Sequence, residues 1–180
     1  VKLHIALAFV NLIAAIGYGG IIGWDKARGT LAYSPMLLAF AHAHLAAIGF
    51  ALMMVVGLSY RLIPMFLPAA MPTGASLAWS AVLIEAGLIV LVLALPGGHP
   101  AVAAGALLIV AGLVMFVRKI RGALAHRMPR PPALPARDWS TWQTHTALLW
   151  LGVAIVSGLI LTMKPVSSST IPLMWVYGTA

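Results

Sequence analysis

The sequence predicts an all-α fold: a polytopic membrane helix bundle of about five spans, with the start of a sixth, forming one transmembrane domain over residues 1–180. Three observations predict it. First, 62% of the residues are hydrophobic and only 8% are charged, with a mean hydropathy of +1.03, whereas a water-facing domain carries about a quarter charged residues. Second, charge-free runs extend over Leu3–Trp24, Gly29–Tyr60, Leu62–Ile84, Ala86–Val117 and Trp139–Met163. Each exceeds the roughly 18 apolar residues that signal a bilayer span. Third, a chain of 18.9 kDa has too little volume to bury five such helices inside a soluble core.

The first span is expected at about 2–24, and Gly17, Gly19, Gly20 and Gly23 near its end suggest close helix approach. Residues 25–35 read as a polar turn. The second span, about 36–60, is expected to end at Arg61 and the breaker sequence LIPMFLPAAMPTG. A third covers about 75–95, and the turn Pro-Gly-Gly-His-Pro at 96–100 returns the chain into a fourth at about 101–117. The basic, Pro-rich segment 118–140 reads as a surface loop, and the fifth span is about 141–163. All are expected to be helices, because an open strand leaves backbone groups unpaired in lipid. The chain begins with Val and closes on the short apolar stretch IPLMWVYGTA, so trimmed termini or a portion of a longer membrane protein are expected.

Charge sets the orientation. Loop 118–140 carries Arg118, Lys119, Arg121, Arg127, Arg130 and Arg137 against Asp138 alone, and the positive-inside rule assigns it to the cytoplasm of a bacterial inner membrane protein. Lys26 and Arg28 in the first loop then fall outside, against the rule. The net charge of +8 would suggest nucleic acid in a soluble domain. Here the cations cluster at span ends, where they serve topology, and no nucleic-acid partner is expected. The expected partners are the lipid bilayer and either other membrane subunits or further copies of the chain. There is no Cys, which excludes disulfides and thiolate metal sites.

Ionisable groups are costly inside a membrane, so they point to function. His4, His42, His44 and His145 fall within spans, whereas His99 and His126 lie in turns. His42 and His44 are two residues apart, so a helix turns them to opposite faces, about 200° apart at 100° per residue. They cannot clasp one metal, and each must serve a different site unless one simply bonds a neighbour. His4 and His145 share a depth in the expected topology and form a second candidate pair, able to hold a b-type heme between two imidazoles. Histidines at helix ends also bond to water or headgroups, which is the competing expectation for these two. Glu85, near the middle of span three, is a candidate proton-active group or a partner for a ligand imidazole, against a plain interhelical hydrogen bond. Met53, Met54, Met65 and Met71 read as packing residues. Trp24, Trp139, Trp142 and Trp175 read as an interfacial belt. Tyr60 and Arg61 stand where a heme propionate or a quinone could meet them.

The stretch FAHAHLAAIGFALMMVVGLSYRLIPMF, with His42-Ala43-His44, Gly49, Gly57, Tyr60, Pro64 and Phe66, resembles the tenth transmembrane helix of the heme–copper oxidase catalytic subunit. The resemblance covers about 27 residues and implies heme ligation from one helix. His42 would face a high-spin-type heme and His44 a low-spin heme, both as iron ligands. The family's His-Pro-Glu segment and adjacent His-His pair are missing, so copper is not expected from this chain alone, and a degenerate relative or fragment is implied. The resulting expectation is a heme b-binding electron-transfer protein of oxidoreductase type, belonging to a respiratory chain. An accessory subunit of a larger complex and a proton or metal transporter component are the alternatives.

Overall fold

The computed structural model describes residues 1–126, 128, 129, 139–163, 172, 174 and 177. Five helices are long and apolar enough to cross a membrane. They are α1 (Lys2–Arg28), a continuous span from Pro35 to Phe66, α4 (Ser76–Ala94), α5 (Ala101–Ala125) and α6 (Trp139–Met163). The Pro35–Phe66 span divides into α2 (Pro35–His44), a π-helical segment Leu45–Leu52, and α3 (Met53–Phe66). The described residues form no strand. The chain is an all-α, multi-pass membrane-type bundle.

Three boundaries differ from expectation. The second span runs through Arg61 to Phe66 and carries Pro64 inside its last turn. A proline removes one hydrogen bond, and so close to the end little helix is left to disrupt. Helix α5 continues beyond Val117, through Arg118, Lys119 and Arg121, to Ala125. Charges end a bilayer crossing without ending the helix that makes it. Helix α1 continues to Arg28 and stops at Gly29, whose φ of 62° is left-handed and whose N–H donates to the Asp25 carbonyl at 2.6 Å. The Asp25 carboxylate accepts from the Leu31 N–H at 2.5 Å and the Thr30 hydroxyl at 3.3 Å, which orders the turn that follows. Arg28 lies 5.0 Å over the Trp24 ring. Most of loop 118–140 beyond His126, Trp175 of the expected belt, and most of the stretch read as a sixth start lie outside the described residues. Trp24, Trp139 and Trp142 are exposed.

Close backbone approach occurs mainly at glycines other than those in the span-one cluster. A Cβ at Gly17, Gly20 or Gly23 would meet nothing within 4 Å. The tight seam joins α4 and α5. A Cβ on Gly87 would lie 2.5 Å from the Gly105 carbonyl oxygen, one on Gly105 2.7 Å from the Gly87 carbonyl oxygen, and one on Gly112 2.8 Å from the Ser80 carbonyl oxygen. Small residues seven apart on each helix, Ser80 and Gly87 against Gly105 and Gly112, let the two backbones touch. In lipid this packing replaces the missing hydrophobic drive between helices.

Helix α1 buries only His4, Ala8, Asn11 and Ala15, one face at helical spacing. Its other sides are apolar and exposed, with Ile13 71% exposed. It runs antiparallel to the second span: His4 lies against Gly57, Asn11 against Gly49 and Gly19 against His42. Met53, Val56, Tyr60, Ile84, Leu88 and Ile120 fill the interior. Helix α6 buries only Ser157 and packs on the rest through Leu148, Leu151 and Ile155.

Candidate functional site

The inward face of α1 brings two polar residues into an otherwise apolar interior. His4 is 0% exposed, and its Nε2 lies 3.1 Å from Ser80 Oγ. Ser80 donates its hydroxyl proton to the Leu77 carbonyl at 2.9 Å, so its lone pairs accept from His4 Nε2–H and from the Tyr60 hydroxyl, also at 3.1 Å. This assigns the His4 tautomer. Nδ1 is then the lone-pair nitrogen, buried and without a hydrogen-bond partner among the described residues. The His4 and Tyr60 rings meet edge to face at 5.5 Å, and Tyr60 meets Phe116 the same way at 5.3 Å. His4 therefore sits in a packed junction of α1, α3 and α4 rather than at a wet interface. Tyr60, expected to face a propionate or quinone, is turned inward to the same serine, while Arg61 is exposed.

Two turns along α1, Asn11 is 3% exposed. Its Nδ2 donates to the Gly49 carbonyl at 3.2 Å and to Glu85 Oε2 at 2.8 Å. The amide ties α1, the π-helical segment and α4 together. The π segment matters because its wider turns, in which the Met53 N–H reaches back to the Ile48 carbonyl, displace backbone carbonyls from the ordinary ladder. Gly49 has no side chain in the way: a Cβ there would lie 2.8 Å from Asn11 Cβ. Asn11→Ala removes both bonds and leaves the Gly49 carbonyl and Glu85 without this donor. A loss of about 1–3 kcal/mol is expected, measurable by denaturant or thermal unfolding in micelles. Glu85→Gln keeps an acceptor for Asn11 and should leave stability close to that of the parent.

His4 and Asn11 are separated by about 10 Å along the helix axis, with fully buried Ala8 between them. Proton transfer needs contacts of about 3 Å. Among the described residues the interior polar groups form two separate clusters.

The histidine pair follows the expected geometry. His42 points to α1, where a Cβ on Gly19 would come within 3.1 Å of its Cε1, and its Nδ1 is buried with no hydrogen-bond partner among the described residues. His44 points the other way. Its Nδ1–H donates to the Phe40 carbonyl at 2.7 Å, and its Nε2 accepts from the Tyr177 hydroxyl at 3.0 Å. The two rings stack at 5.8 Å. A backbone carbonyl on one ring nitrogen fixes the tautomer and frees the other as a metal ligand. His126 and His145 make the same bond to Gly122 and Thr141, so the bond by itself is a habit of helical histidines. What sets His44 apart is its half-buried place inside a span, two residues from a second histidine.

His145 is exposed and lines a cavity of about 310 Å³ between α5 and α6 with Arg121, Leu124, Ala125 and Thr141. His4 packs on α3 and α4 against Tyr60 and Ser80, neither of which lines the His145 cavity. Asn11 and Ser80 are the site residues the sequence reading passed over. A lone Asn seven residues from His4 in an apolar run was the available signal for the first; nothing local marks Ser80. Among the described residues no three of His, Cys, Asp or Glu converge on one point. Comparison with protein-family models, with curated proteins and with solved structures gives no match.

Proposed function

We propose that this chain is a heme-binding electron-transfer component of a bacterial plasma membrane, with His44 and His42 as axial ligands facing two sites from one helix. The observation that carries the reading is the opposed pair. His42 lies against α1 at Gly19 and His44 lies against Tyr177. Both rings suit the role. His42 Nδ1 is buried with no hydrogen-bond partner among the described residues, and the His44 Nδ1–H bond to the Phe40 carbonyl leaves Nε2, which accepts from the Tyr177 hydroxyl, as the ligand nitrogen. A b-type heme supplies one-electron ferric–ferrous chemistry. The protein's part would be to orient the two imidazoles and to exclude water through the apolar spans, with Nε2 of His44, which here accepts from the Tyr177 hydroxyl, as the nitrogen that would hold the group. The resemblance of the Phe40–Phe66 stretch to the tenth transmembrane helix of the heme–copper oxidase catalytic subunit supports the same reading.

The remaining expectations are proposals of the same kind. Glu85 is the candidate proton-active group, and His4, held by Ser80 in the junction of α1, α3 and α4, is not carried forward as a partner of His145. The segment after α5 is taken as cytoplasmic, and other membrane subunits or further copies are taken as partners. Protein purified in detergent after expression with heme supply should show a Soret band and, on reduction, a b-type α band. A colourless protein under those conditions overturns the reading.

A further inference from the structure

The loop between α3 and α4 closes over the last turns of α5 and leaves a cavity of about 660 Å³, lined among others by Met71, Pro72, Met115, Arg118, Lys119 and His126. We propose that this cavity binds an anionic phospholipid, its phosphate between Arg118, Lys119 and His126 and its chains along Met71 and Met115. The inference does not rest on the histidine pair in α2.

Four features lead to it. The walls are held on both sides: the Met128 N–H donates to the Pro68 carbonyl at 2.8 Å, and Lys119 Nζ donates to the Thr73 carbonyl at 3.2 Å. Lys119 keeps two further N–H donors after that bond. On α5, Arg118, Gly122 and His126 form one ridge four residues apart, and Met115, Lys119 and Ala123 form the next. Cations and apolar groups therefore alternate across one concave surface. Among the described lining residues there is no acidic side chain, so an anion meets no repulsion.

Position along the helix selects a lipid over a free anion. The charge-free run of α5 ends at Val117, so Arg118 and Lys119 stand where the hydrocarbon region gives way to headgroups. Basic pockets between spans at this level suit anionic headgroups. The apolar wall of Met71, Pro72 and Met115 gives a free phosphate nothing to bury against, whereas acyl chains continue from it into the bilayer.

The test compares retention of phosphatidylglycerol and phosphatidylcholine of identical chains by the purified protein, read by native mass spectrometry. Phosphatidylglycerol should be retained at least fivefold better, and Arg118→Gln should reduce that advantage about fivefold, as expected for one cation near a membrane surface. Gly122→Leu leaves every charge in place. A Cβ at Gly122 meets nothing within 4 Å, so the larger side chain fills cavity space and should lower retention without harming the fold. Arg118→Lys should restore most of the binding. Equal retention of the two lipids, or parent-like retention in both Arg118→Gln and Gly122→Leu, overturns the proposal. Displacement of the lipid by millimolar inorganic phosphate also overturns it, in favour of a site for a free anion.

Discussion

Gly87→Leu is expected to open the α4–α5 hairpin and to destabilise the protein by about 3 kcal/mol or more, at the upper end of overpacking costs. The reason is what the new side chain would strike. Its Cβ would lie 2.5 Å from the Gly105 carbonyl oxygen and 2.7 Å from the Ile109 backbone nitrogen. Neither atom can rotate away as a side chain would, so the helices must separate. Separation at Gly87 also loosens the contact of Gly112 with the Ser80 carbonyl, and Ser80 is the acceptor that holds His4 and Tyr60. The damage should therefore reach the α1 junction. Thermal unfolding or resistance to proteolysis in micelles would read it. Gly122→Ala, on the partner helix α5 and facing open space, is the control and should be neutral or slightly stabilising through its better helix propensity. Equal stability of Gly87→Leu and the parent would contradict the seam as described.

The second large effect is expected at His44. If this ring is an iron ligand, His44→Ala removes the component of the reduced α band that depends on it and leaves any His42 component in place. His42→Ala should leave the His44 component in place, since the His42 ring lies on the opposite side of the helix against Gly19. Tyr177→Phe removes the hydroxyl that competes for His44 Nε2, so the band should persist, at equal or greater occupancy. The three variants together test the two-faced geometry and not merely the presence of pigment. An α band unchanged in His44→Ala would show that this histidine serves only to bond Phe40 and Tyr177.

Much of the site was legible because intramembrane polar residues are rare. His42, His44 and Glu85 stand out in charge-free runs, and a period of 100° per residue is enough to place the two histidines on opposite faces. The partner of each group was not legible. Glu85 was read by itself, yet its partner Asn11 lies on a helix 74 residues away in sequence. His4 is expected near water because it begins its span, yet α3 packs so closely that a Cβ on Gly57 would lie 2.7 Å from His4 Cβ, and the ring is enclosed. Glycine in an apolar run has the same hydropathy signature whether it meets lipid or another backbone. The span-one glycines were therefore singled out while Gly87, Gly105 and Gly112 were not.

The charge-free runs of the sequence were enough to anticipate the membrane-type helical class and the five candidate spans found among the described residues. Those follow from one-dimensional quantities: the length of each charge-free run, and the requirement that every backbone group in hydrocarbon be paired within its own helix. Only the tertiary structure decided which face of each helix is interior. In lipid a leucine gains little by facing inward rather than outward, so apolar periodicity carries almost no information about sidedness. The decision falls to shape and hydrogen bonding. Glycine seams bring α4 to α5, the Asn11 amide bonds the Gly49 carbonyl of the π segment, and Ser80 joins His4 to Tyr60.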